Sequence, residues 1–504
     1  MKVTVTRSSN GNLRLLGLPF AGTLPLEHRG PYTWEASSYD EEFLRSKLPE
    51  ADWSAVRPVD STSPFPEEQY GKVILRPYQQ EVYRFGPHLL IADEPRLGKS
   101  YEALAFALGQ GANRILVICP VGAAFQWRDY AQAMSLEPTS IIAGQPRQKD
   151  RYLRVAAQAA RVVVAGYDQL ARMDRWGDPR WFDAVILDEV HAVKNPDAQR
   201  TKRVHYYLSH IPHRVLVTGT PVRNYTRDLW SLLHLINPLG FPDATAFGER
   251  YSERVEIDTP IGKRVEYRGT KNWDELMVRM RPFLLMRTRE EVGMVVPFAR
   301  SIRSVPLSPE WTSRYDEAQS EWLHEVRRTR GRGGRVLAGI TQLRQLAALG
   351  KVPAVAEWLA ERSKTMVLTS FETAAFLLRD SLPPSARPVR VLTGSVRPKD
   401  REGLLREVEE QEGNLIATVR TGGESLNLQG LASTVAFLDV GWSPAELKQG
   451  EDRVKLPGQT QTSYGVYFVA TDTVEEKVVR RLLDKVEGSP MLPTDFNVLS
   501  EVLE

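Results

Sequence analysis

Two short stretches, 92-ADEPRLGKS-100 and 185-VILDEVHAVKN-195, decide how this chain reads. The first follows the apolar run Leu89-Leu90-Ile91 and carries Gly98-Lys99-Ser100 into a helical pattern that starts at Tyr101. Backbone N–H groups at a helix start, with a lysine ammonium, suit the β and γ phosphates of a nucleotide, and the Ser100 hydroxyl suits its magnesium ion. The second reads as a buried strand, Val185-Ile186-Leu187, delivering Asp188 and Glu189 to its C-terminal end, where ligands sit in open α/β sheets. Asp188 there holds magnesium through water, and Glu189 orients and deprotonates the attacking water. A lone acidic pair at a strand end is commonly a solvated turn; the pair and the loop in this order point to a nucleotide-hydrolysing core.

Apolar runs at 88–92, 114–120, 161–167, 184–188 and 214–219 alternate with helical patterns, the signature of a doubly wound parallel sheet. A second series follows at 365–371, 389–394, 414–419, 434–440 and 464–470. The expectation is an α/β chain of two parallel-sheet lobes. Residues 71–224 form the first, 225–362 contribute mainly helical insertions and the connection, and 363–504 form the second with a C-terminal helix. Residues 1–70, punctuated by turn signals and ending in the linker-like 58-PVDSTSPFPEEQ-69, read as a small, β-rich accessory segment.

The chain has 504 residues, 42% hydrophobic and 26% charged, which fits an ordinary globular protein of about three domains. A formal net charge of +3 announces no polyanion partner, so a nucleic-acid surface must be local. No apolar run reaches bilayer-spanning length and the N-terminus lacks a signal-peptide core. The single cysteine, Cys119, excludes an intramolecular disulfide and a cysteine zinc cluster, and points to a reducing cytoplasm.

With this order of segments, the chain resembles the Swi/Snf type of helicase superfamily 2 ATPase, a double-stranded DNA translocase, over about Val73 to Glu487. Leu75-Arg76-Pro77-Tyr78-Gln79 resembles the adenine-reading motif, 216-LVTGTPVRN-224 and 229-LWSLLHLINP-238 the coupling motif and its helix, and 282-PFLLMRT-288 and 342-QLRQL-346 inter-lobe signatures. Thr421 to Leu431, 439-DVGWSP-444 and 449-QGEDRVKLPGQ-459 resemble the last motifs.

The resemblance implies RecA-like lobes, ATP and Mg2+ as cofactors, and duplex or branched DNA bound through phosphates. It implies a monomer in a bacterial cytoplasm, including that of a phage host, with no membrane partner. It implies nucleotide contacts from Tyr78, Gln79, Asp93, Glu94, Leu97, Gly98, Lys99, Ser100, Gln449, Arg453 and Lys455. Lys99, Asp188, Glu189 and Arg453 would be catalytic, and Ser100 and Asp188 would hold the metal. His191, Thr218, Gly219 and Thr220 would couple hydrolysis to movement, and Tyr167, Ser370, Gly394, Thr421 and Gly422 would touch DNA.

Three positions depart from the family. Arg96, after Pro95, stands where the loop normally has glycine. It must either adopt a glycine-like backbone angle or sit in a rearranged loop. Leu456 replaces the second of two arginines, leaving Lys455 to reach in without a guanidinium fork. Glu424 interrupts a glycine-rich turn, where it would repel phosphates unless it points away or pairs with a basic residue. These leave an alternative to the motor: a nucleotide-gated DNA-binding scaffold. The run 324-HEVRRTRGRGGR-335 reads as a DNA-contacting loop or a solvated linker, and Trp127 as core packing beneath the first-lobe DNA surface.

Overall fold

The computed structural model describes residues 3–479 except 8–12, 17–26, 31–32, 37–40, 50, 52–68, 143–149, 194, 196–197, 220–225, 260–261, 330–333, 420–431, 441–443, 456–458, 460 and 477–478. The described residues up to Val292 form one compact unit and those from Gly293 a second.

In the first unit a seven-stranded sheet runs, edge to edge, Thr139–Ile141, Val162–Gly166, Ile115–Cys119, Ala184–Asp188, His213–Val217, His88–Ile91 and Leu284–Leu285. Every pairing is parallel. Alternate strand residues enter two cores on opposite faces: Leu116, Ile118, Val185 and Leu187 on one, Ile115, Val117, Ala184 and Ile186 on the other. Burial on both faces is why these strands read as unbroken apolar runs. All five predicted runs are strands. The edge strands Thr139–Ile141 and Leu284–Leu285 are too short and too ordinary in composition to have stood out.

The second unit is built the same way, with strands Phe298–Val305, Ser463–Ala470, Thr434–Phe437, Thr365–Thr369, Asn414–Thr418 and Val389–Leu392 in that order, all parallel. Phe298–Val305 comes from the stretch expected to be mainly helical. Its pattern is mostly exposed and rich in serine and arginine, because it covers one edge of the sheet. Besides its helices, that stretch also holds an antiparallel hairpin, Glu253–Thr259 with Gly262–Arg268. Near the N-terminus, Thr4–Arg7, Leu13–Leu16, Thr33–Ala36 and Glu27–Gly30 pair antiparallel, and with the helix Glu41–Lys47 they bury Val5, Leu13, Leu15, Phe43 and Leu44. No helix among the described residues is long and apolar enough to cross a membrane.

Candidate nucleotide site

The strand His88–Ile91 leads through Pro95 and Arg96 to Gly98, which opens the helix Lys99–Gly109. Gly98 sits at φ +89°, and a Cβ there would fall 2.3 Å from Gln79 Nε2, so the position demands glycine. Arg96 takes the first of its two options: at φ +74° it adopts the left-handed region without glycine's freedom, at a cost of about 1 kcal/mol. The Tyr78 hydroxyl and Gln79 Nε2 donate to the Leu97 carbonyl at 2.9 and 3.0 Å, and Gln79 Oε1 accepts from the Arg76 N–H at 2.9 Å. Gln79, expected to read a base, thus has both ends of its amide bonded, one to the phosphate loop and one to its own segment. Lys99 Nζ donates to the carbonyls of Asp93 (2.8 Å) and Glu94 (2.9 Å). Burial lowers its pKa, against the opposing pull of Asp93, Glu189, Glu102 and Asp188. Ser100 follows in the first turn of the same helix.

The acidic strand end faces this lysine two strands away in the sheet. Asp188 accepts from the Glu189 N–H at 3.0 Å and, through Oδ2, from Trp127 Nε1 at 2.8 Å. Burial pushes its carboxyl up to about 7, Glu189 adding to the rise and the Trp127 bond opposing it. Glu189 turns the chain at φ +48°. Trp127, read from sequence as packing, therefore also orients the proposed metal ligand; no spacing rule would have revealed this. Tyr167, expected at the DNA, is buried, and its hydroxyl donates to the Asp188 carbonyl at 2.7 Å, so it braces the acidic strand end from within. His191 lies in the short helix Val190–Val193, whose last carbonyl accepts from Ser231 Oγ at 2.7 Å in the helix Trp230–Ile236. Thr218 is buried with its N–H on the Ile91 carbonyl at 3.0 Å. A Cβ on Gly219 would lie 3.6 Å from Pro95 and 4.0 Å from Lys99 Nζ, which seats the coupling motif beside the phosphate loop.

Sequence reasoning missed what holds the loop from its other side. Beyond the strand Leu284–Leu285 the pairing continues: Ala92 N–H donates to the Leu285 carbonyl (2.8 Å) and Glu94 N–H to that of Arg287 (3.0 Å). Arg287 N–H donates to Asp93 Oδ1 (2.9 Å) and its Nε to Oδ2 (3.0 Å), while Nη2 reaches both Asp93 and Glu102. Nη1 reaches the Tyr78 carbonyl and, at 3.3 Å, Glu81, with the guanidinium 4.9 Å from the Tyr78 ring centre. Glu94 accepts from the Arg289 N–H (2.9 Å), and Arg289 Nε donates to the Pro95 carbonyl (3.2 Å). Asp93 and Glu94 thus have their carboxylates committed to this segment. Burial and the Asp93 charge push Glu102 up to about 8, Arg287 opposing.

In the second unit, Gln449 lies in the helix Pro444–Glu451 and Arg453 in the turn after it, its N–H on the Gly450 carbonyl at 3.2 Å. Lys455, expected to reach a phosphate, is held instead by Glu451 at 2.9 Å and over the Phe298 ring at 4.0 Å. Glu451 is a buried hub that also takes Arg300 at 2.7 and 2.8 Å and the Tyr467 hydroxyl. Ser370 is exposed at the end of Thr365–Thr369, its N–H donating to Asp439 (2.8 Å) and its Oγ accepting from Arg344 Nη2 (3.0 Å). Gly394 is exposed just past Val389–Leu392. Thr220, Thr421, Gly422, Glu424 and Leu456 lie outside the described residues.

A glycine-opened helix whose lysine caps its own loop, across a parallel sheet from a buried acidic strand end, defines the phosphate-loop class of nucleotide-binding proteins. Within that class the chain belongs to the SNF2-related family: residues 72–348 match the SNF2-related domain, and residues 350–455 match the helicase conserved C-terminal domain. It is a helicase-like enzyme of that family. Among its relatives are YwqA of Bacillus subtilis (strain 168), whose name assigns it provisionally to the ATP-dependent helicases/translocases (25% identical, covering 89% of this chain and 52% of that protein), and the SWI/SNF-related matrix-associated actin-dependent regulator of chromatin subfamily A-like protein 1 of Xenopus tropicalis (24%, 88% and 46%). The chain spans about half the length of these curated relatives. Among solved structures, the SWI2/SNF2 ATPase core of Sulfolobus solfataricus in complex with dsDNA aligns at 21% identity over 88% of this chain and 96% of that one, with a TM-score of 0.40.

Proposed function

We propose that the chain hydrolyses ATP in response to duplex DNA and uses the cycle to move along it, remodelling DNA or displacing bound proteins. The observation that carries this reading is Lys99, its ammonium on two loop carbonyls with Asp188 and Glu189 acting on its charge. Phosphate oxygens are stronger acceptors for that ammonium than backbone carbonyls. Magnesium would be held by Ser100 and Asp188 and would neutralise charge on the phosphates. Such an ion keeps waters and phosphate ligands, so it needs no all-protein cage. Among the described residues no group of three or more His, Cys, Asp and Glu could form one.

Glu189, turned by its left-handed backbone at the strand end, is the group to orient the attacking water and take its proton. The base would sit in the cavity of about 590 Å³ lined by Pro77, Tyr78, Glu81, Met286, Arg287, Glu291 and Val292. Arg453 would stabilise charge on the transferring phosphoryl group. Ser370 and Gly394, exposed at strand ends of the second sheet, with Thr421 and Gly422, would contact DNA phosphates, giving weak sequence preference. A reducing cytoplasm suits the single buried Cys119. A relative from Mus musculus is named a DNA annealing helicase and endonuclease (24% identical over 80% of this chain).

One observation favours the second reading, a nucleotide-gated DNA-binding scaffold. Lys455, engaged by Glu451 and Phe298, is a point charge and does not reproduce the guanidinium fork that the sequence lacks at Leu456. Steady-state ATP hydrolysis with magnesium, with and without duplex DNA, separates the two. The motor is expected to be stimulated by duplex DNA and to lose at least about a hundredfold in rate in Lys99→Ala. Nucleotide and DNA binding without turnover, recovered in Leu456→Arg, would establish the scaffold instead.

A further inference from the structure

We propose that Arg287 is a positioning residue for the phosphates of the bound nucleotide: by occupying Asp93 it keeps that carboxylate off Lys99. This rests on the reading of the loop as an ATP site. Asp93 and Glu102 are both fully buried, and both act on the charge of Lys99. Yet among the described residues Lys99 Nζ bonds to neither carboxylate, only to the carbonyls of Asp93 and Glu94. The reason is geometric. Arg287 takes Asp93 through its backbone N–H and two guanidinium nitrogens, and takes Glu102 through Nη2. Asp93, with three such donors, has little left to offer an ammonium; Glu102 takes a single one at Oε1 and its Oε2 is buried with no partner among the described residues, so it is Asp93 that Arg287 fully occupies. The lysine is left on backbone carbonyls, partners it can exchange for a phosphate.

The same arginine fixes the pieces that must surround the nucleotide together. Glu102 lies in the helix that Gly98 opens, Asp93 begins the loop, and Tyr78, beneath the guanidinium, lines the cavity assigned to the base. The backbone of the segment pins Ala92 and Glu94, and Arg289 pins Pro95. In a loop lacking its usual glycine at Arg96, this external fixation does what glycine geometry does elsewhere.

Removing the arginine alone would leave Asp93 buried without its guanidinium while the Lys99 ammonium still acts on it, and an ammonium so captured is lost to phosphate. The test is equilibrium binding of ATP with magnesium by the full chain, alongside thermal melting. Arg287→Met is expected to weaken binding by about 30-fold or more, the loss of one charge-assisted contact to phosphate. Adding Asp93→Asn and Glu102→Gln to it removes the captor and the buried acid beside it, and is expected to restore affinity to within about threefold of the parent. A merely structural arginine would give a triple variant as weak as the single one. That outcome, or normal binding by Arg287→Met, overturns the proposal. If Arg287→Met does not fold, the triple variant decides alone, since it has lost the uncompensated charges. A parent that binds no ATP overturns the nucleotide reading itself, and is distinguished by being seen before any variant is made.

Discussion

Both parallel sheets end in a buried aspartate gripped by an arginine from another part of the chain, and the two grips differ in charge. Asp93, after His88–Ile91, is held by Arg287, which also carries Glu102, so two buried carboxylates share one guanidinium. Asp439, just after Thr434–Phe437, is held by Arg344 at 3.0 Å, and the same nitrogen donates to two neutral acceptors, Ser370 Oγ and the Val440 carbonyl. The second grip is a balanced pair whose carboxylate is completed by Thr369 Oγ1 and the Ser370 N–H. The first, counted with Lys99, is neutral when Glu102 is ionised and positive when Glu102 is protonated. A balanced pair fixes a strand end. A cluster that gains positive charge on taking up a proton can favour a polyanion.

The comparison breaks most visibly if the second grip is not a pin. Arg344→Met leaves Asp439 buried with an uncompensated charge, and breaking a buried pair this way costs about 3–5 kcal/mol. Urea denaturation of the full chain should show that loss, and adding Asp439→Leu should recover part of it. A loss below about 1 kcal/mol would mean that water or rearrangement satisfies Asp439, and the two ends would then not be comparable.

Proton linkage sharpens the contrast between the two. Glu102 is raised to about 8 by burial and the Asp93 charge, and Asp188 to about 7 by burial and Glu189; both lie in the first unit. A carboxyl whose folded pKa exceeds its unfolded value near 4.5 holds a proton that the unfolded chain lacks. Its stabilising contribution is therefore lost as pH rises through the folded pKa. Between pH 6.5 and 8 the chain should lose about 1–2 kcal/mol of stability through Glu102. Urea midpoints at the two pH values test this, and Glu102→Gln should flatten the difference. A slope unchanged in Glu102→Gln would assign the titration elsewhere and remove the charge asymmetry from the comparison.

The sequence disclosed what repeats along the chain and concealed what converges from far apart. Unbroken apolar runs such as 115-ILVIC-119 announce strands buried on both faces, and Gly98-Lys99-Ser100 announces a loop, because those signals are local. Arg287 is 194 residues from Asp93, and Trp127 is 61 from Asp188. Neither separation leaves a periodic trace. The short edge strand Leu284–Leu285 was hidden for the same reason, since its meaning lies in its partner, His88–Ile91. Lys455 shows the same limit: its adjacency to Leu456 suggested reach, and the sequence did not announce that Glu451, four residues earlier, pairs with its ammonium.

The smallest expected effect concerns why the first grip is the more elaborate. Arg96 at φ +74° would relax toward a right-handed or extended backbone, and what opposes this is its neighbour Pro95, whose carbonyl is bonded by Arg289, together with Glu94, held at both its N–H and its carboxylate. Glycine adopts that angle without the side-chain clash but gives the unfolded chain more freedom. The two effects oppose, so Arg96→Gly should stabilise the chain by no more than about 0.5 kcal/mol, measured by the same urea titration. The informative quantity is the interaction with Arg289→Met. If the grip holds Arg96 against strain, Arg96→Gly in the Arg289→Met background should gain less than in the parent, because part of the strain is already released. Equal gains in the two backgrounds would mean that the loop keeps its shape unaided and that the grip serves the charges alone.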